Sequence, residues 1–211
     1  MPRKVLVLGA TGGTGREVVS RAMAQGHDVT ALVRDAERLP VRSDRLRVLV
    51  GSVIDDDGPL AVAMQGQEVV ISALGVGKSL TSSGLIARSA PAIVRAMEGN
   101  SVRRLVFTSA YGVGATWTDV PTVPRILMRL LFRNLYTDKA AGEEHIRRSG
   151  LDWTLVYPVT LTDGPRTGRY RVGERLTLRG LPRVPRADVA DFLLAQMDDH
   201  SYSRRGVLIS S

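Results

Sequence analysis

The chain has 211 residues, a formal net charge of +8 and no cysteine. Without cysteine there are no disulfides, thiolate catalysts or cysteine-ligated metals, and the three histidines have no ligand spacing, so no metal site is expected. The positive charge comes mostly from arginines spread along the chain. This distribution argues against a nucleic-acid surface, which would be a clustered basic patch.

No apolar run reaches the length of a membrane span. The apolar run at residues 5–8 ends at Gly9, which is too early for a signal-peptide core. We therefore expect a cytoplasmic protein with no membrane contact. A monomer and a homodimer are both compatible with the sequence.

Short aliphatic runs alternate with longer segments whose apolar residues recur at helical spacing. Predicted strands cover residues 4–8, 28–33, 46–50, 68–74, 102–108, 153–157 and 206–209, and predicted helices cover 15–24, 55–65, 82–97, 137–148 and 187–197. Near-continuous aliphatic strands between helices indicate a parallel sheet buried on both faces. We therefore predict an α/β fold with a doubly wound parallel sheet, in a single domain spanning residues 1–211.

Two segments fit this alternation less well. Residues 123–132 mix leucine and isoleucine with arginine, a pattern compatible with a lid over the site, a dimer face or a core helix. Residues 163–186 are rich in glycine, proline and arginine. Because another helix and strand follow them, we predict an irregular excursion on the substrate side of the site and not a linker.

The first predicted strand runs into a loop with glycines at G-x-x-G-x-x-G spacing, and a helix follows. Such glycines permit a tight turn and let backbone N–H groups reach a pyrophosphate at the helix N-terminus. An ordinary turn would not need four glycines in seven residues. The loop therefore predicts a Rossmann-type dinucleotide site. Its predicted contacts are Gly9, Thr11, Gly12, Gly13, Thr14 and Gly15.

The second predicted strand ends in Arg34 and Asp35. An acidic residue at this position accepts hydrogen bonds from the adenine ribose of NAD, whereas an arginine pairs with the 2′-phosphate of NADP. Arg34 occupies the position and favours NADP(H). Asp35, directly adjacent, complicates the choice.

Five segments resemble the atypical short-chain dehydrogenases with an NmrA-like NAD(P)H-binding domain: residues 9–15, 32–35, 69–75, 104–110 and 148–154. Residues 163–170 are similar to the flavin reductases of the biliverdin reductase B type. The resemblance implies that the ends of the fourth and fifth strands line the nicotinamide and that residues after the sixth strand flank it. The further contacts that it implies are Ser52, Val53, Ala73, Leu74, Gly75, Thr108, Ser109, Lys139, Tyr157, Pro158, Val159 and Thr160.

The resemblance fails at the Tyr-x-x-x-Lys pair that carbonyl-reducing members use for proton transfer. Lys139 fits the lysine position, but Leu135 stands where the tyrosine belongs. Tyr136 is one residue late, which on a helix turns it about 100° away. The catalytic candidates are Ser109, alternatively a plain strand-end serine, and Lys139, alternatively a solvated helix lysine. Tyr111 and Trp117 are candidate pocket walls or ordinary loop aromatics.

These observations favour an NADPH-dependent reductase of a planar conjugated small-molecule acceptor, such as a flavin, a bilin or a quinone. A proton for such an acceptor can come from water, so the missing tyrosine is no obstacle. The main alternative, an NmrA-like sensor that binds NADP(H) without turnover, is equally compatible with Leu135. A nucleotide-sugar epimerase or dehydratase is less favoured, because 211 residues leave little room for a substrate domain.

Overall fold

The computed structural model describes residues 1–54, 58–75, 84–119 and 122–211, with side chains described except at 115, 118, 119 and 122–131. The strands are β1 (Lys4–Leu8), β2 (Asp28–Val33), β3 (Leu46–Val50), β4 (Val69–Ser72), β5 (Arg104–Thr108), β6 (Asp152–Pro158), β7 (Thr160–Thr162), β8 (Arg171–Gly173), β9 (Arg183–Pro185) and β10 (Arg205–Ser210). The α-helices are α1 (Gly13–Ala24), α2 (Gly58–Met64), α3 (Leu85–Gly99), α4 (Thr122–Arg148) and α5 (Arg186–Ala195). Within the described ranges, no helix combines the length and the hydrophobicity that crossing a membrane requires.

The main sheet has the strand order β3-β2-β1-β4-β5-β6-β10-β8. Its neighbouring strands pair in parallel except β10 and β8, which are antiparallel. The strand succession reverses between β1 and β4, and ligands of such sheets bind in the crevice beyond the carboxyl ends of the strands at this point. The predicted doubly wound parallel sheet is confirmed, and the glycine loop that follows β1 lies at the reversal.

Helices cover both faces of the sheet. Along β1, Val5 and Val7 belong to one apolar cluster with residues of α1 and α5, while Leu6 and Leu8 belong to a second cluster with residues of α2, α3 and α4. A strand buried on both faces needs apolar residues at successive positions. This double burial explains why the strands are continuous aliphatic runs in the sequence.

The segment 163–186, predicted as irregular, is only partly so. Arg171–Gly173 extends the main sheet beside β10, and Arg183–Pro185 pairs with Thr160–Thr162 in a separate two-stranded sheet. The loop from β7 to β8 is held against α5 by Asp188. This buried residue accepts hydrogen bonds from the backbone N–H groups of Thr167 at 2.8 Å and Gly168 at 2.9 Å. Three-residue strands are too short to produce a recognisable periodicity, so the sequence did not reveal them.

The predicted helices differ from the observed ones at their ends. The segment 123–132 and the helix predicted at 137–148 form one run, α4, with a kink at Phe132 where φ is −124° and ψ is 18°. The choice among lid, dimer face and core helix for 123–131 depends on side chains outside the described residues. The helices predicted to begin at 55 and 82 begin at Gly58 and Leu85, and residues 55–57 and 76–83 lie outside the described residues.

Candidate cofactor and acceptor site

Two glycines of the loop after β1 are required by the fold itself. Gly9 has a φ of +79°, and a β-carbon there would lie 2.5 Å from the carbonyl oxygen of Ala73. A β-carbon on Gly15 would collide with the carbonyl group of Gly9. The end of β4 and the first turn of α1 therefore press against the loop, and both positions need glycine whether or not a ligand binds.

Gly12 differs from these two glycines. It is exposed, has a φ of −77°, and a β-carbon on it would meet a single described neighbour, the Gly9 oxygen at 3.3 Å. The fold therefore gives little reason for glycine at this position, whereas a phosphate that approaches the backbone closely would. Gly12 is also the N-cap of α1 and supplies no side-chain cap, and no acidic residue lies in the first turn. The first-turn N–H groups are thus suited to an anionic pyrophosphate.

Arg186 lies beside the start of α1, although no sequence motif singled it out. Its Nε and Cδ atoms are 2.5 and 2.6 Å from the position that a β-carbon on Gly13 would take, so its side chain lies directly over Gly13. It is half-buried and is 3.5 Å from the exposed carboxylate of Asp163. The guanidinium adds positive charge at the phosphate loop. Its sequence signal was the arginine-rich stretch that ends at this residue.

The two charged residues after β2 have different surroundings. Asp35 caps the short 3₁₀ helix Ala36–Arg38, where its carboxylate accepts a hydrogen bond from the Glu37 N–H at 3.0 Å. Arg34 is exposed and makes no hydrogen bond or ion pair with the described part of the chain. The carboxylate that complicated the sequence argument is therefore engaged in the fold. The unpaired guanidinium of Arg34 suits the 2′-phosphate of NADP.

The other predicted cofactor contacts differ in their exposure. Ser52 is half-buried and accepts a hydrogen bond from the Ile54 N–H at 3.3 Å, whereas Val53 is buried in the apolar cluster below α2. Residues 73–75 follow β4, and Gly75 is exposed. Thr108, at the end of β5, is buried, and its hydroxyl has no hydrogen-bond partner in the described structure. A buried hydroxyl without a partner at this end of the sheet is consistent with a missing ligand.

Ser109 belongs to a buried hydrogen-bond network. Its hydroxyl donates to Oε1 of Glu143 at 2.5 Å, and the Tyr157 hydroxyl donates to Oε2 of Glu143 at 2.8 Å. Arg147 in turn donates to the Tyr157 oxygen at 2.7 Å. Glu143 is 1% exposed, and this burial raises the pKa of its carboxyl group, although the hydrogen bonds from the two hydroxyls oppose the shift. The network joins the ends of β5 and β6 to α4.

Tyr157, predicted to flank the nicotinamide, is itself buried. Burial and the neighbouring Glu143 carboxyl raise the pKa of the Tyr157 phenol, so its hydroxyl is protonated at neutral pH. Pro158 and Val159 are buried as well, and Thr160 is exposed. The contact of these residues with the cofactor stays a prediction.

Lys139 lies on α4, one turn before Glu143, and is 7% exposed. It is therefore not a solvated surface lysine. Its ammonium group makes no hydrogen bond or ion pair with any described residue, and burial lowers its pKa. The adjacent Asp138 caps α3 by accepting a hydrogen bond from the Ala87 N–H at 2.8 Å. A nearly buried ammonium has three donors to satisfy, which points to acceptors on a ligand.

An open cavity of about 400 Å³ lies between α4 and the segment after β5. Trp117 and Tyr136 line it, with their rings edge to face and their centroids 6.1 Å apart. The Tyr136 hydroxyl is 3.4 Å from the carbonyl oxygen of Tyr111. Gly114 also lines the cavity, and a β-carbon there would collide with the carboxylate of Glu143. The buried network therefore lies directly behind one wall of the cavity.

Glu143 is the main functional candidate that the sequence reasoning missed. One signal was present, because Glu143 follows Lys139 by four residues and i,i+4 pairs share a helix face. Its hydrogen-bond partners had no such signal. Ser109, directly after β5, is 34 residues away, and Tyr157, on the neighbouring strand β6, is 14 residues away.

The glycine loop at the reversal of the sheet, the unpaired Arg34 and the nearly buried Lys139 define a dinucleotide-binding protein of the Rossmann type. Residues 9–200 match the family described as NAD(P)H-binding, and the chain belongs to that family. The family confirms the expected nicotinamide dinucleotide cofactor, and the resemblance to short-chain dehydrogenases is confirmed for the fold. Arg34 as the NADP(H) selector stays a prediction.

Several known proteins are similar to this chain. Protein YwnB of Bacillus subtilis (strain 168) is 24% identical over 203 residues, which cover 93% of this chain and 91% of YwnB. A short-chain dehydrogenase/reductase from Veillonella parvula DSM 2008, solved in complex with NADP, has a TM-score of 0.82 at 20% identity and covers 100% of this chain and 95% of its own. ChuY, an anaerobilin reductase from Escherichia coli O157:H7, has a TM-score of 0.80 at 21% identity, with 98% and 96% covered.

These comparisons have a defined reach. The structural likenesses, at 20% and 21% identity, establish the fold. Among sequence relatives, the chain spans 62% and 43% of two longer proteins, so their whole activities do not transfer to it. The proteins that share this fold include an oxidoreductase from Lactococcus lactis and the anaerobilin reductase ChuY.

Proposed function

We propose that the protein is an NADPH-dependent reductase of a planar conjugated acceptor of the flavin, bilin or quinone type. The observation that carries the proposal is Lys139, whose nearly buried ammonium has no acceptor in the described structure. The paired hydroxyls of a nicotinamide ribose are compact acceptors that match an ammonium better than a guanidinium. Lysine at this position of an otherwise arginine-rich chain is consistent with that role.

The phosphate end of the cofactor would be held by backbone N–H groups and two arginines. The N–H groups at the start of α1 would contact the pyrophosphate, with Gly12 leaving room for its approach. Arg34 would pair with the 2′-phosphate, and Arg186 would add positive charge over Gly13. When bound, the nicotinamide supplies the hydride, and the residues of this chain bind, orient and shield the reactants.

The acceptor would occupy the cavity beside α4. Its volume of about 400 Å³ lies within the range of small-molecule sites, and Trp117 and Tyr136 offer aromatic surface to a planar ring system. Leu135 takes the place of the proton-donating tyrosine of carbonyl reductases. A conjugated acceptor, whose reduction depends mainly on positioning, therefore fits this site better than a ketone. The bilin substrate class of the structurally similar ChuY supports this choice by analogy.

The test is an anaerobic assay with NADPH and a panel of flavins, bilins, quinones and simple ketones, followed at the nicotinamide absorbance band. We expect oxidation of many equivalents of NADPH per protein with at least one planar acceptor and none with the ketones. Tight NADPH binding without turnover on any acceptor would contradict the proposal and favour the NADP(H) sensor.

A matched pair of lysine variants tests the observation on which the proposal rests. Lys139→Met should raise the Kd for NADPH about tenfold or more, the loss expected for a charge-assisted hydrogen bond. Lys4→Met, at the opposite end of β1 from the glycine loop, should leave that Kd unchanged. Equal affinities in a fluorescence titration of both variants would remove Lys139 from the cofactor site.

A further inference from the structure

The proposed reductase needs a proton as well as a hydride, and the Ser109 hydroxyl, directly after β5, is a candidate donor. A serine hydroxyl has one proton to donate. In the structure that proton is directed to Glu143 Oε1 at 2.5 Å, and Tyr157 donates to the other carboxylate oxygen. While Glu143 is ionised, Ser109 therefore has no proton to offer to a ligand.

Protonation of Glu143 reverses this arrangement. A neutral carboxylic acid has an O–H group of its own, which can donate to the Ser109 oxygen and release the serine proton for a second partner. Tyr157 can go on donating to Oε2, because its own oxygen accepts from Arg147 at 2.7 Å. The hydrogen bonds then run in one direction, from Arg147 through Tyr157, Glu143 and Ser109.

We propose that Glu143 is the proton store of this site and that it passes its carboxyl proton through the Ser109 hydroxyl to the acceptor. The step rests on the reductase function proposed above. The reduced nicotinamide supplies a hydride, hence two electrons, to the acceptor. Ser109 gives its hydroxyl proton to the acceptor heteroatom that gains charge, and it takes the Glu143 proton in exchange. The acceptor thus gains two hydrogens, and Glu143 is left as a carboxylate.

The structure offers a route by which Glu143 can be protonated again. Gly114 lines the open cavity, and a β-carbon at this position would collide with the Glu143 carboxyl. The backbone of Gly114 therefore lies both at the cavity wall and against the Glu143 carboxyl, and a proton from solvent in the cavity would enter at this point. In this proposal Glu143 is a positioning and relay residue that acts through Ser109. Ser109 follows β5 next to the cavity wall rather than in it, and it would pass the proton to the edge of the bound acceptor.

The charged and titratable groups around Glu143 set the direction of its pH dependence. Lys139 and Arg147 face it from its own helix, and Tyr157 faces it from β6. The two cations favour the ionised carboxyl, but burial outweighs them and raises the pKa. The protonated, competent form is therefore present at low pH and is lost as the pH rises through that raised pKa. Turnover should fall with it.

The chain offers a matched pair of variants for the test. Glu143→Gln keeps the size of the side chain and can still donate to Ser109, but it has no transferable proton. Glu144→Gln changes the neighbouring exposed residue, which pairs with Arg148 at 2.7 Å. With a planar acceptor, we expect Glu143→Gln to lower kcat about 100-fold at low pH and to flatten the pH profile, with the NADPH Kd unchanged. Glu144→Gln should follow the wild type.

Two further measurements separate a relay from a structural role. Ser109→Ala should lower kcat by a similar factor, and the double variant should lose no more than either single one, because both residues serve one path. In the protein without cofactor, infrared spectra recorded over a pH series should show a protonated-carboxyl C=O band that is lost at a higher pH than the band of an exposed glutamate. That band should persist in Glu144→Gln and disappear in Glu143→Gln.

The outcomes are distinguishable. No turnover by the wild type refutes the proposed function, and the delivery step falls with it. Turnover whose pH dependence survives in Glu143→Gln refutes the relay alone and leaves the reductase in place. A carboxyl band that is lost at the pH of an exposed glutamate, or that Glu143→Gln does not remove, shows that burial does not hold the Glu143 proton, which also overturns the relay.

Discussion

The two ends of the proposed cofactor site are built in different ways. At the phosphate end, the groups available to a ligand are the backbone N–H groups of the loop after β1 and the exposed side chain of Arg34, directly after β2. At the nicotinamide end, the groups available to a ligand are two nearly buried side chains, Ser109 after β5 and Lys139 on α4. Both lie next to the network around Glu143. In the proposed function, the first end would bind through backbone geometry and charge. The second end would bind and react through side chains whose protonation burial can control.

Each end is sensitive to a different kind of substitution. At the phosphate end, an added methyl group would collide with the protein backbone if it is placed on Gly15 and with the ligand if it is placed on Gly12. At the nicotinamide end, an isosteric change such as Glu143→Gln leaves the packing intact and alters only the proton. Substitutions at the two ends should therefore separate stability, affinity and turnover.

The largest effect is expected from the glycines of the loop. Gly15→Ala places a β-carbon against the Gly9 carbonyl and should lower the free energy of unfolding by about 3 kcal/mol or more. Gly12→Ala meets one oxygen at 3.3 Å and should cost less than about 1 kcal/mol in stability. It should nevertheless weaken NADPH about 100-fold or more, because several charge-assisted hydrogen bonds to the pyrophosphate are displaced together. Urea titrations and calorimetry measure the two quantities.

These two glycine variants test the comparison directly. If Gly12→Ala binds NADPH like the wild type, the loop is a turn and the phosphate end is not where we place it. If Gly15→Ala is as stable as the wild type, the close approach to Gly9 does not limit the fold.

A smaller effect is expected at Arg34, which would act on one cofactor only. Arg34→Ala should raise the Kd for NADPH about tenfold or more and leave that for NADH nearly unchanged, because only NADPH carries the 2′-phosphate. Arg95→Ala, an exposed arginine on α3, is the control and should change neither value. Parallel losses for both cofactors in Arg34→Ala would indicate a general electrostatic effect and not recognition of the phosphate.

The smallest effect is expected at Tyr136, although it is the tyrosine nearest to the position of the missing proton donor. Within the described structure, the Tyr136 hydroxyl makes one long hydrogen bond, 3.4 Å to the Tyr111 carbonyl oxygen, and burial raises the pKa of the phenol. Tyr136→Phe keeps the ring against Trp117, so turnover should stay within about threefold of the wild type, which is less than 0.7 kcal/mol in barrier height. A near-complete loss of activity would instead identify Tyr136 as a relocated acid of a carbonyl reductase.

The sequence by itself determined the features that depend on neighbours along the chain. Alternating aliphatic strands and helices fixed the parallel sheet, and the spacing of Gly9, Gly12 and Gly15 after β1 identified the dinucleotide loop. The position of Arg34 at the end of β2 followed from the same local pattern. These features could be predicted because the hydrophobic period, the turn and the end of a strand each depend on a few consecutive residues.

The tertiary structure alone decided which side chains meet. It engaged Asp35 as a helix cap and left Arg34 unpaired, and it added the short antiparallel strand β8 to the sheet edge. It also placed Glu143 between Ser109 and Tyr157, from three separate elements. Packing α4 against the ends of β5 and β6 removes water from these groups. That desolvation, which no spacing along the chain encodes, shifts the pKa values of Glu143 and Lys139.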